Sequence, residues 1–237
     1  MPPLTADQPM TVVEAGDAPP SRSRATALGG VLLLLAPLQF LLFEQITAAA
    51  WRNPGYSFYY NFISDLGVMN GPIVYQGRDV DSPVGVLINL GFILLGLLTT
   101  TSILLLTRSI AGGAHRAMIR VFGILFGVGA VLVAFFPENS VELAHIIGAF
   151  LNIGFGNALL VAIGVSGRRY GLPLWLSRTV ALLGLLGAVA MVALVVFPVL
   201  FTGVVERTAA YPYMFTCAAL GVLALVNNRT NQTRTGR

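Results

Sequence analysis

Residues able to do chemistry gather in three short stretches, NFISDLGV (61–68), PENSVELAH (137–145) and GVVERTAAYP (203–212). In the second, Glu142 and His145 stand three apart, which puts both on one face of a helix. Glu-x-x-His at this spacing binds metal in helical-bundle carboxylate sites. A dinuclear site needs a second such pair, which the last apolar segment does not offer, so Glu142 and His145 are weak metal candidates. The competing assignment is local. Asn139 or Ser140 caps a helix through its side-chain oxygen, Glu142 falls in the dipole-favoured first turn, and His145 hydrogen-bonds at the interface. A serine nucleophile needs Ser64 or Ser140 beside His145 with an acid orienting the ring, but the chain has no Gly-x-Ser-x-Gly elbow. In the third stretch Glu206 and Arg207 are neighbours, so on a helix they do not face each other. Each needs a partner elsewhere, with Asp65, Glu138 and Glu44 open to Arg207. An arginine near headgroups can also hold a phosphate. In the first stretch, Ser64 and Asp65 are expected to tie down backbone. Gly67 permits a turn. Asp65 is expected to point inward toward the fourth or sixth apolar segment and pair with Arg207 or His145.

The elements that must carry these residues follow from composition. The chain has 237 residues, 56% hydrophobic and 10% charged, whereas a soluble domain carries roughly a quarter charged residues. Six apolar runs, about 26–50, 83–106, 117–136, 142–166, 173–201 and 209–227, can each cross a hydrocarbon core of about 30 Å. In lipid such runs must be helical, because only a helix satisfies its own backbone. The expected fold is therefore all-α, a polytopic bundle of six transmembrane helices. Residues 1–25 are expected as a disordered cytoplasmic tail and 228–237 as a second tail. The first run is too long for the core of a cleaved signal, although Thr47-Ala48-Ala49-Ala50 resembles a cleavage site.

All fourteen basic residues counted with the lysines are arginine. Taken loop by loop, eleven fall on the side of the termini and three, Arg52, Arg78 and Arg207, on the other. The positive-inside rule then places both termini in the cytoplasm. The arginines are spread over separate loops, so nucleic acid is not an expected partner. The sequons at Asn228 and Asn231 would lie inside and read as chance. The single cysteine, Cys217, lies in an apolar run and reads as a small buried hydrophobe. No phosphate loop, dinucleotide fingerprint or haem-type motif is present, so no cofactor is expected. Gly123-x-x-x-Gly127 and Gly148 suit close helix approach, and Asn89 and Asn152 read as interhelical glue.

No Asp, Glu, Lys, Arg or His occupies the middle of the second to sixth runs. Ionisable groups in hydrocarbon are costly, and here they collect at one face, the outer one by the arginine rule. Glu44, Asp65, Glu138, Glu142, His145, Glu206, Arg207 and Tyr211 form the candidate outer cluster. Phe58, Tyr59 and Tyr60 suit an interfacial aromatic belt or a short re-entrant segment.

The three stretches, in this order and spacing, resemble the domain-of-unknown-function 998 family of bacterial and archaeal membrane proteins over about residues 27–227. The resemblance implies a six-helix integral membrane protein and no particular reaction. It places the chain in a bacterial plasma membrane. The Ile63-Ser64-Asp65-x-Gly67 element also resembles the first outer loop of the FRAG/DRAM/Sfk family, whose members are linked to lipid remodelling and distribution. The leading expectation is an outward-facing polar pocket that touches lipid headgroups or a small amphiphile, with membrane lipids as partners. The rival readings are an intramembrane lipid-modifying enzyme, metal-assisted through Glu142 and His145, and a small-solute transporter.

Overall fold

The structure is a computed structural model that describes residues 20–109, 112–197 and 201–235, with side chains described for 24–108, 112–197 and 201–230. The helices are α1 (Pro20–Ala50), α2 (Gly85–Leu106), α3 (Ala114–Phe135), α4 (Glu142–Ala149), α5 (Phe155–Ser166), α6 (Leu174–Val196) and α7 (Thr202–Thr235). A π-helical turn, Phe150–Gly154, joins α4 to α5, so the two make one span. Among the described residues six helices are thus long and apolar enough to cross a membrane, and the protein is an all-α polytopic membrane protein.

Successive spans pack side by side and α7 closes back onto α1, which makes a ring of six. Leu95, Phe126, Leu159, Leu160 and Met214 fill its middle. Lipid tails are as apolar as leucine, so burial alone does not hold such a bundle together; close approach and interhelical hydrogen bonds do. Gly129 of α3 meets Gly148 of α4 so closely that a Cβ on Gly129 would stand 2.6 Å from the Gly148 carbonyl oxygen. Gly127 packs against Gly96 and Thr100 of α2, the intramolecular role expected of the Gly123/Gly127 pair. Asn152 donates to the Phe126 carbonyl of α3, and Asn157 donates to the Ala209 carbonyl of α7. Asn89 bonds a short 3₁₀ turn, Ser64–Gly67, rather than a neighbouring span: its amide donates to the Gly67 carbonyl at 2.9 Å.

Several boundaries differ from the expected ones. Up to residue 19 the expected N-terminal tail lies outside the described residues, and residues 20–25 of it already belong to α1. The end of the fifth expected run, at 198–200, also lies outside them. Helix α7 starts at Thr202 rather than near 209 and runs on to Thr235, through eight residues of the expected C-terminal tail. The Glu206-Arg207 pair breaks the apolar run in sequence but not the helix, because both side chains find buried partners. Between α1 and α2 lies an antiparallel hairpin that the helical pattern does not announce, β1 (Ile73–Tyr75) with β2 (Arg78–Val80). Gln76 (φ 47°) and Gly77 (φ 76°) make its two-residue turn, both in the left-handed region that such hairpins require.

Candidate functional site

The expected single outer cluster is two networks joined by one strap of backbone, residues 56–65. All of it sits at the end of the bundle that carries the hairpin.

The first network ties α1 to α7. Glu44, fully buried on α1, accepts from Arg207 Nε at 3.1 Å and Nη2 at 2.8 Å, and from the Tyr211 hydroxyl at 2.8 Å. Arg207 Nη1 donates to the carbonyls of Asn61 and Gly203, both at 3.1 Å, and Nη2 donates to the Tyr56 hydroxyl. The guanidinium lies over the Phe58 ring, 4.7 Å from its centroid. Burial holds the Tyr56 phenol well above its usual range even though Arg207 pulls it down. It remains an O–H that donates to the Phe62 carbonyl at 2.8 Å. Gly203 is needed where the strap meets α7, since a Cβ there would stand 2.6 Å from the Phe58 carbonyl oxygen. Of the partners open to Arg207, the structure selects Glu44. Every arm of the guanidinium is engaged within the bundle, so it serves as a clamp.

Arg78 of the hairpin organises the second network. Asp65 is fully buried, as expected, but its cation is Arg78 and not Arg207 or His145. Arg78 Nε and Nη2 grip the carboxylate in a fork, at 3.1 and 2.9 Å. Asp65 also accepts from the Phe62 N–H at 2.8 Å and the Asn61 amide at 3.3 Å, the backbone-tying role expected of it. Arg78 Nη2 reaches Glu138 at 3.4 Å, and the Ser64 hydroxyl donates to Glu138 at 3.0 Å. Burial first, and the adjacent Asp65 second, push Glu138 up to about 9. Asp65 and Glu138 together hold Arg78 above its ordinary value against the opposing effect of burial. The guanidinium covers the faces of Phe62, at 4.7 Å, and Tyr75, at 5.7 Å. Glu206 links the two networks: one turn into α7, it accepts the Ile63 N–H of the strap.

Helix α4 departs from its expected capping. Ser140 donates to the Pro137 carbonyl, Asn139 donates to the Met69 carbonyl at 2.8 Å, and neither side chain caps α4. Glu142 is in the first turn, where Gln76 at the hairpin tip donates to it at 2.9 Å. His145 Nδ1 lies 2.9 Å from the Phe136 carbonyl oxygen. A carbonyl can only accept, so Nδ1 carries the proton, and in the neutral ring Nε2 presents its lone pair. Neither Ser64 nor Ser140 bonds His145, so the nucleophile arrangement does not form. Among the described residues no group of three or more His, Cys, Asp or Glu is placed to hold a metal ion, and Glu142 with His145 gains no third ligand.

Between the second network and α6 lies a cavity of about 400 Å³. Ser64, Arg78, Glu138, Glu142, His145 and Glu206 line one part of it; Ile146, Phe150, Ile153, Met191 and Val195 line the other. The π turn lies in its wall, contributing Phe150 and Ile153. Helix α4 packs on α3, and α6 packs along α5 and α7. Arg78, Gln76 and Tyr56 are the site residues sequence reasoning missed. Arg78 entered only as a count in the charge balance, and the Gln76-Gly77 turn that delivers it lacks the Asn-Gly or Asp-Gly signature.

The family described as "Protein of unknown function (DUF998)" matches residues 22–224, and the chain belongs to that family. No curated protein and no solved structure matches it.

Proposed function

We propose that this DUF998 protein binds a membrane amphiphile in the cavity between the hairpin, α4 and α6. The observation that carries the reading is the division of the cavity wall. Its polar part has the size and chemistry of a headgroup site, and its apolar part is a chain-sized strip. Ile146, Phe150 and Val195 of that strip are exposed on the bundle surface, Val195 by 79%. In a bilayer they face hydrocarbon, so a chain can enter sideways without leaving the lipid. The fixed polar shell supports the same reading: Asp65, Arg78 and Glu138 hold one another in place before any ligand arrives, which keeps the entropic cost of binding low.

The arginine distribution supports an outward-facing cavity in a bacterial plasma membrane, with both termini in the cytoplasm. The wide groove between α6 and α7, beside Phe58 and Tyr211, is a poorer headgroup site because Arg207 has no donor arm left for a ligand.

Ala149 lines the cavity wall and belongs to neither charge network, so Ala149→Trp should narrow the space. Native mass spectrometry of the purified variant should show loss of the lipid adducts that the wild type retains, at an unchanged melting temperature. Equal retention of lipid by both proteins would remove the cavity as the binding site.

A further inference from the structure

The cavity also specifies a headgroup, an inference that rests on the amphiphile reading above. We infer that the ligand carries a protonated primary amine. The polar part of the wall holds one guanidinium, that of Arg78; its Nε and Nη2 are committed to Asp65 and Glu138, and only its Nη1 arm is left to donate. Beside that arm, what the wall leaves over is acceptors. Glu206 uses Oε2 on the Ile63 N–H, which leaves Oε1 without a partner. Glu142 uses Oε1 on Gln76 and keeps Oε2. His145 is 8% exposed, its Nδ1 is held by the Phe136 carbonyl, and Nε2 has no partner. A ring nitrogen that lines a cavity with its lone pair unused can accept a donor from the occupant. An ammonium group offers three N–H donors and no acceptor. It also matches the sign of the wall, where Asp65 offsets Arg78, Glu138 is held protonated, and Glu142 and Glu206 form no salt bridge. A phosphate would find only the Nη1 arm of Arg78 to receive it and would meet the carboxyl groups of Glu142 and Glu206.

The same wall selects among cations. A trimethylammonium head has no N–H, and aromatic faces are what bind it. Here Arg78 lies over the rings of Phe62 and Tyr75, and Phe150 alone is short of an aromatic cage. Primary amines should therefore bind more tightly than quaternary ones.

The test uses the full-length protein in detergent and four probes of one chain length: dodecylamine, dodecyltrimethylammonium, dodecyl phosphate and dodecanol. Dodecylamine should bind most tightly. Glu142→Gln, at an exposed position, and His145→Leu should each weaken it by about tenfold, the loss of one charge-assisted hydrogen bond, and leave dodecanol unchanged. Tightest binding of the phosphate, or of the quaternary amine, overturns the inference while the amphiphile reading stands. So does a dodecylamine affinity that neither substitution alters. Failure of all four probes to compete with lipid at a site blocked by Ala149→Trp overturns the amphiphile reading itself. Nanodiscs of phosphatidylethanolamine or phosphatidylglycerol then identify the source. Selective retention of phosphatidylethanolamine assigns the amine to a phospholipid, and binding of dodecylamine without it assigns a single-chain amine.

Discussion

Replacing Arg207 by methionine should destabilise the protein strongly without emptying the cavity. The substitution removes two N–H donors from Glu44, one from Tyr56 and those that bind the Asn61 and Gly203 carbonyls. Glu44 is fully buried and would keep only the Tyr211 hydroxyl. Breaking a buried ion pair by deleting one partner costs about 3–5 kcal/mol, mostly because the other charge stays buried and uncompensated. Glu44→Met should cost a similar amount for the same reason, since Arg207 has 9% of its side chain exposed. The double variant buries no unpaired charge. Its loss should fall short of the sum of the two singles by about 0.5–3 kcal/mol. Denaturant unfolding in mixed micelles, followed by tryptophan fluorescence, gives all four corners of the cycle. Single losses below about 1 kcal/mol, or strict additivity, would refute the view of Arg207 as a buried clamp. A lost lipid adduct in a stably folded Arg207→Met protein would return Arg207 to the ligand site.

Other expectations follow from the second network and the strap. Glu138 is raised from 4.5 to about 9, so between those values folding takes up a proton, and stability should fall as pH rises through that window. Glu138→Gln should flatten the slope in thermal melts; an unaltered slope would contradict a protonated Glu138. Arg78→Lys keeps the charge but loses the fork on Asp65, and should lower stability by about 1.5–3 kcal/mol in the same unfolding assay. Gly203→Ala forces a Cβ against the strap carbonyls and should cost about 1–3 kcal/mol, again by denaturant unfolding. Gln76→Ala releases the exposed hairpin tip from Glu142, so stability should change by less than about 0.5 kcal/mol while bound dodecylamine dissociates faster in stopped-flow displacement.

How much of this was legible in sequence depends on what kind of residue carries it. The six spans were legible because hydrocarbon leaves a chain only one way to satisfy its backbone, and the apolar runs are long. The members of the site were legible because buried ionisable groups are too costly to retain without partners, and so stand out one by one. Their pairing was not. Arg207 had three carboxylates open to it, and only the ring closure that sets α1 against α7 selects Glu44. Asp65 was assigned to the wrong cation because Arg78 stands in a hairpin whose Gln-Gly turn carries a weak signal. The start of α7 was displaced because Glu206 and Arg207 look like a loop in hydropathy, while their partners bury them inside the helix. The cavity was the least legible part, since its wall joins the hairpin, α4, the π turn over Phe150–Gly154 and α6, which no periodicity brings together.

Photo-crosslinking tests the central claim most directly. A dodecylamine bearing a diazirine near the end of its chain, activated with the protein in native membranes, should label the strip formed by Ile146, Phe150, Ile153, Met191 and Val195, and Ala149→Trp should abolish the label. Adducts confined to lipid-facing ridge residues such as Leu182 and Val189, at equal yield in both proteins, would contradict it.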